Sequence, residues 1–211
     1  MDPSIRKAGD NYLECRAPWK SRRTHISFIR LHKSYRRTIL YQSGVPSKTP
    51  FVWLPEEGKS LSLGGLGVIY KVLPEDTEGA LAVIEHPIES GRLVRPHTHT
   101  REDEISYIVQ GQVGIRIGER ESIAGPGTWV FKPREIQHTF WNVGPNQAKL
   151  LEIITPGAFA HYFEELAKIL ETGTSRDDEK LAELRHKYGL SFNSEWVPGL
   201  KAKYHLRLVG E

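Results

Sequence analysis

The chain has 211 residues, 38% of them apolar, enough for one ordinary domain with a hydrophobic core. Its single cysteine, Cys15, excludes an internal disulfide framework, no apolar run reaches the roughly 20 residues of a membrane span, and the start of the chain lacks a signal-peptide apolar core. A cytoplasmic location is the simplest expectation. The net charge of +3 conceals an asymmetry: residues 1–55 hold 11 Lys/Arg against 3 Asp/Glu, whereas residues 56–211 hold 18 against 23.

No acidic residue occurs between Cys15 and Pro55, and Arg16, Lys20, Arg22, Arg23, Arg30, Lys33, Arg36 and Arg37 show no period. Against an organelle-targeting role, Asp2, Asp10 and Glu14 come first; against a nucleic-acid arm, the body that follows is acidic and has no recognised reading motif. Residues 1–50 are expected to be a basic, disordered extension, with no nucleic-acid or membrane partner.

From Phe51 the texture changes to short β-type runs. Strands are expected at Ser60–Leu63, Gly67–Leu73, Ala80–Pro87, Arg92–His99, Glu104–Val109, Gln112–Ile117, Trp129–Lys132, Gln137–Val143 and Lys149–Ile154, with turns at Pro74–Asp76, Glu89–Gly91, Gly111 and Gly144-Pro145. Many short strands without intervening helical patterns predict a mainly β fold, an antiparallel sandwich or barrel. Helices are expected only after Pro156. Phe159, Tyr162, Phe163, Leu166, Ile169 and Leu170 share one face of a helix ending near Gly173. Ser175 with Asp177, Asp178 and Glu179 caps a second helix, whose stripe is Leu181, Leu184 and Tyr188 and whose stop is Gly189. The tail from Ser191, with Trp196, Pro198 and Tyr204, is too aromatic for a free linker and should dock on the domain or on a partner subunit. The expected layout is thus a β-domain over residues 51–157 followed by helices and tail over 158–211.

Within the β-region, His97 and His99 stand two apart on one strand and so face the same space. Glu104 follows at an odd offset that would face away, unless Thr100-Arg101-Glu102-Asp103 forms a turn that resets the register. His138 lies on a later strand, with Phe140 and Asn142 on its face. Three imidazoles and one carboxylate suit a divalent transition metal (Fe, Mn, Ni, Co, Cu or Zn) with open positions for water, dioxygen or substrate. Glu102 and Asp103 rival Glu104 as ligand but read as a solvated turn. His25, His32, His86, His161, His186 and His205 read as surface or packing residues. An isolated His-x-His also occurs in amidohydrolases, but those need a much longer barrel of alternating strands and helices.

These residues resemble the motifs of the cupin superfamily: Gly91, His97, His99, Glu104 and Gly111 match the first, and Gly127, Pro133, His138 and Asn142 the second. The departure is Glu135, where the family has glycine, which predicts a strained or altered turn there. The resemblance spans residues 51–160 and implies a small jelly-roll β-barrel with the metal inside. The runs 99–104, 124–128 and 132–134, and the ending Lys187-Tyr188-Gly189-Leu190, are similar to the quercetin-dioxygenase-like single-domain cupins. That likeness implies a metal-dependent, dioxygenase-like enzyme acting on a small aromatic or enolic compound. The alternatives are a non-catalytic ligand sensor and a metal-assisted isomerase or hydrolase. His97, His99, Glu104 and His138 are the expected ligands, and Glu104 the expected catalytic base, which would need a raised pKa. Ser106, Ile108, Phe131, Phe140 and Asn142 are the expected pocket wall. The exposed edge of such a barrel is compatible with a homodimer.

Overall fold

A computed structural model describes residues 50–55, 57–171 and 179–211. The expected basic extension, but for Pro50, lies outside them, as do the expected helix end at Gly173 and the cap at Ser175, Asp177 and Asp178. The described residues form thirteen strands: β1 (Lys59–Ser62), β2 (Gly67–Val72), β3 (Ala82–Ile88), β4 (Arg92–Leu93), β5 (His97–His99), β6 (Asp103–Gln110), β7 (Val113–Ile117), β8 (Arg120–Ala124), β9 (Trp129–Lys132), β10 (His138–Asn142), β11 (Ala148–Thr155), β12 (Leu190–Phe192) and β13 (Arg207–Leu208). Three α-helices follow the main β-region: α1 (His161–Glu171), α2 (Glu179–Lys187) and α3 (Val197–Tyr204). Among the described residues no helix is long and apolar enough to cross a membrane.

One sheet runs β1-β2-β3-β11-β6-β9, antiparallel throughout. In the other, β10 is central: β7 and then β8 lie on one side, while β5 and β4 share the other and are flanked by β12 and β13. All its pairs are antiparallel except β4–β13. The two sheets share one apolar core but are not hydrogen-bonded into a closed barrel. The expected mainly β architecture of jelly-roll type, with helices after it, is therefore present as two apposed sheets.

Period-2 alternation builds this core. β3 and β11 alternate buried and half-buried residues along their length, which turns Ala82, Ile84, His86 and Ile88, and Ala148, Leu150, Glu152 and Ile154, inward. β6 does the same with Glu104, Ser106 and Ile108. The single strand expected over Arg92–His99 is interrupted before His97, where Pro96 lacks a backbone donor. β8 escaped the sequence pattern because Arg120-Glu121-Ser122-Ile123-Ala124 is largely charged and exposed.

The helices and tail complete the fold. Phe159, Tyr162, Leu184 and Tyr188 are buried in the main core, and Phe163, Leu166, Ile169 and Leu170 pack against it. All five residues of β10 are buried, so its outer face needs its own cover. Leu93 and Trp141 meet Val197, Leu200, Leu206 and Leu208 from α3 and β13 in a second apolar cluster. The tail packs against β10 and contributes β12 and β13, which are too short to show a pattern.

Two local features give testable consequences. Trp141 stands opposite Gly114 on β7, and a β-carbon at Gly114 would overlap the indole ring. Gly114→Ala is expected to destabilise the fold by about 1–3 kcal/mol through overpacking, measured by urea unfolding. Glu135 is exposed and adopts φ 64°, in the left-handed region; of the two outcomes expected at this position, a strained or an altered turn, this is the strained one. Left-handed backbone costs a non-glycine residue about 1–2 kcal/mol, partly offset by the greater chain entropy that glycine loses on folding. Glu135→Gly should therefore raise stability by up to about 1 kcal/mol in the same assay; a destabilised variant would show that the turn carries no such strain.

Candidate metal centre

The four residues singled out by spacing converge. One ligand-type atom each from His97, His99, Glu104 and His138 lies within 4.8 Å of all the others, and all four side chains are buried. The turn between β5 and β6 performs the expected register reset and carries Glu104 inward on the opposite sheet. Imidazole centroids are 4.5 Å apart for His97 and His138, 5.0 Å for His97 and His99, and 5.5 Å for His99 and His138.

Hydrogen bonding fixes how the rings present themselves. His97 Nδ1 lies 2.8 Å from the Arg95 carbonyl, and His138 Nδ1 lies 3.0 Å from the Ile136 carbonyl. A carbonyl only accepts, so each Nδ1 carries the proton and, in the neutral ring, Nε2 is the lone-pair donor. His99 places Nδ1 at 3.5 Å from Glu102 Oε2 and Nε2 at 3.3 Å from Glu104 Oε1, and neither nitrogen has an aligned hydrogen bond. A buried, unbonded Nε2 directed at a carboxylate and two other imidazoles is what a shared cation requires. Three nitrogens and one oxygen suit a divalent transition ion with ligand distances of about 2.1 Å, so the residues fit the metal that the motif implies. Its identity is open.

Glu102 corrects the expectation of a solvated turn. It is only 6% exposed and stands behind His99, whereas its neighbour Asp103 accepts from the backbone and guanidinium of Arg134. Those bonds hold Asp103 at about 2 and tie the start of β6 to the turn before β10. Glu135 in that turn donates its backbone N–H to the His99 carbonyl at 2.7 Å.

Lys132 is the functional residue that sequence reasoning missed. It is 1% exposed, paired with Glu104 across β9 and β6, and its Nζ lies 2.8 Å from both Glu104 Oε2 and Glu152 Oε2. Ser106 donates to Glu152 at 3.0 Å. The one signal for Lys132 was a lysine ending the otherwise apolar run Trp129-Val130-Phe131.

This network sets the charges. Burial alone would raise Glu104, but Lys132 and His99 outweigh it and hold the carboxyl well below the usual range. The raised pKa that a base role needs is therefore absent at Glu104. Burial, seconded by the negative charge of Glu104, instead lifts Glu152 to about 7 against the pull of Lys132. Burial depresses His97 and His138, while at His99 the carboxylates of Glu104 and Glu102 overcome burial and raise it to about 9.

The cluster opens on a cavity of about 190 Å³, lined by His97 and Glu104 together with His86, Phe140, Glu152, Phe159, Tyr162, Phe163, residues of α1 and α2, and Arg95, Arg185 and Phe192. Of the expected wall, Phe140 lies on this surface. Ser106 and Ile108 are buried off it, one bonded to Glu152 and the other in the core. The Asn142 amide donates to the carbonyls of Ile88 and Asn146 and accepts from Gly144 N–H, so it holds a turn. Phe131 is 59% exposed, because the inward register of Lys132 turns its neighbour outward. His86, alone in its strand, is buried beside the cavity, with Nδ1 bonded to the Gly67 carbonyl at 2.8 Å; burial lowers it to about 4.

Breaking the Glu104–Lys132–Glu152 bridge tests its weight. Lys132→Met leaves two carboxylates in a dry interior and should destabilise by about 3–5 kcal/mol in denaturant titrations. Adding Glu152→Gln should recover part of that loss. Strict additivity of the two changes would show that the groups are uncoupled.

Residues 86–154 match the family model described as Cupin domain. A search of curated proteins finds no match. Among solved structures, KdgF from a Halomonas species is 19% identical, covering 49% of this chain and 92% of that one, at a TM-score of 0.44. An RmlC-like cupin from Shewanella frigidimarina is 18% identical over 52% of this chain and 94% of its own, also at 0.44. A predicted oxalate decarboxylase from Thermotoga maritima is 18% identical over 46% and 90%, at 0.43. With both motifs inside the matched segment, residues 86–154 are a cupin domain, the family whose motif spacing this sequence resembles.

Proposed function

We propose that the protein is a metal-dependent cupin enzyme acting on a small, mostly apolar aromatic or enolic compound, with dioxygenase-like oxidation as the leading reaction and the quercetin-dioxygenase-like cupins as its subgroup. The observation that carries this reading is the junction of a buried three-histidine, one-glutamate cluster with an apolar cavity through His97 and Glu104. A divalent transition ion held by His97, His99, Glu104 and His138 supplies Lewis acidity toward a substrate oxygen. The chain's own residues supply the rest. Phe140, Phe159, Tyr162 and Phe163 exclude water and flank a flat substrate. Lys132 keeps Glu104 anionic and in place. Glu152, at about 7 and on the cavity surface, is the carboxyl suited to accept or return a substrate proton. That same feature favours a metal-assisted isomerisation as the second reading, since it moves protons without an oxidant.

Anaerobic reconstitution with iron, manganese or nickel, followed by oxygen-uptake measurements over flavonols, catechols and diketones, separates the two. Uptake with any of them supports the oxygenase; tight binding without uptake, with proton exchange into the ligand, supports the isomerase. The ligand assignment is tested separately. His97→Ala and His138→Ala should each abolish stoichiometric metal by elemental analysis, and should abolish the rise in Tm that metal gives the parent protein. Unchanged metal content in either variant would refute the assignment. Glu152→Gln should keep its metal and lower kcat by about 10²–10⁴-fold.

A further inference from the structure

The cavity has a charged rim that the reading above leaves unused. Arg95 and Arg185 both line it, one at the approach to β5 and the other in the last turn of α2. Arg95 stands two residues before His97 in the segment that leads into β5, and its guanidinium lies 3.5 Å from Ser194 Oγ. The guanidinium of Arg185 sits 5.1 Å above the Phe192 ring, whose centroid is 6.0 Å from that of His97. Both cations are half-buried, and Phe192 stands between Arg185 and His97. Each already has protein contacts, and a fork of five N–H donors accommodates an oxyanion beside them.

The rest of the lining dictates where an anion can go. Glu104 and Glu152 are on the floor, so a ligand's negative end is disfavoured there except at a cation, whereas the walls between floor and rim are apolar. A cavity near 150 Å³ holds benzene, so about 190 Å³ holds one aromatic ring and a short chain. We propose that the cavity selects a small anionic amphiphile, a body about the size of one ring between the His/Glu cluster and an oxyanion such as a carboxylate bound by Arg95 and Arg185. This deepens the substrate-site reading of the cavity and rests on it. It makes Arg95 and Arg185 specificity-determining residues.

The test uses the full chain stripped of metal by chelation and verified by elemental analysis, so that no carboxylate is captured by an ion. Calorimetric titration compares 3-phenylpropionate with 3-phenylpropan-1-ol, which has the same body and no charge, and with 2-phenylethyl phosphate. The expected result is at least about tenfold tighter binding of one or both anions than of the alcohol, a preference that weakens as salt is raised. Arg95→Gln and Arg185→Gln should each reduce the preference, and the double variant should abolish it while leaving alcohol binding unchanged, which reports an intact cavity. Equal binding of acid and alcohol by the parent protein, a preference that survives the double replacement, or no binding of any probe would overturn the proposal. Because the protein is metal-free throughout, this outcome is independent of whether the His97 and His138 variants lose metal.

Discussion

The Glu104 carboxylate is ionised and 4% exposed, and an anion withdrawn from water to that degree must be compensated by charge and hydrogen bonding inside the protein. Its compensation arrives from two other strands, Lys132 on β9 and His99 on β5, at 2.8 and 3.3 Å, while the lone-pair nitrogen of His138 on β10 lies 3.1 Å away. Glu104 and Lys132 belong to one sheet and the histidines to the other. The electrostatic cluster is thereby also a cross-brace between the sheets, placed where they are not joined by backbone hydrogen bonds. Moving any one of these strands by a residue would turn its contribution to the opposite face and leave the carboxylate without a partner.

The same strands that build the core therefore build the site. Along β6 the inward positions grade from Ile108 through Ser106 to Glu104, whereas β11 sets Glu152 between the buried Leu150 and Ile154. The helices add the aromatic wall, with Phe159 edge-on to His99 at 4.3 Å between ring centroids. The tail stabilises the same strands from outside: β12 pairs with β5 residue by residue, placing Phe192 opposite His97, and α3 covers Trp141 on the back of β10. Segments that looked peripheral thus hold the histidine-bearing strands in position from one edge and from behind.

What could be read in the sequence was what depends on local periodicity and spacing. The alternation of His97 and His99, the turn needed before Glu104, and the left-handed position of Glu135 follow from rules that act within a few residues. The misassigned residues depend on register between distant strands. That Lys132 faces Glu104, and that Phe131 consequently points to solvent, is set by the pairing of β9 with β6 across an intervening hairpin. Glu102 looked like one more polar turn residue because nothing local distinguishes a carboxylate behind a histidine from one in water. Asn142 shares a face with His138, yet the turn that follows claims its amide.

The charge arrangement also bears on how the cavity discriminates. Lys132 divides its donors between Glu104 and Glu152, so the cation that holds Glu104 also restrains the proton affinity of the carboxyl facing the cavity. A cation at the cluster would take up charge on Glu104 and leave more of Lys132 for Glu152, lowering the pKa of the latter. Metal loading and the proton affinity of the cavity are then linked through one buried amine. Because the cavity that Glu152 faces is lined mostly by apolar side chains, that affinity is set by burial, Lys132 and Glu104.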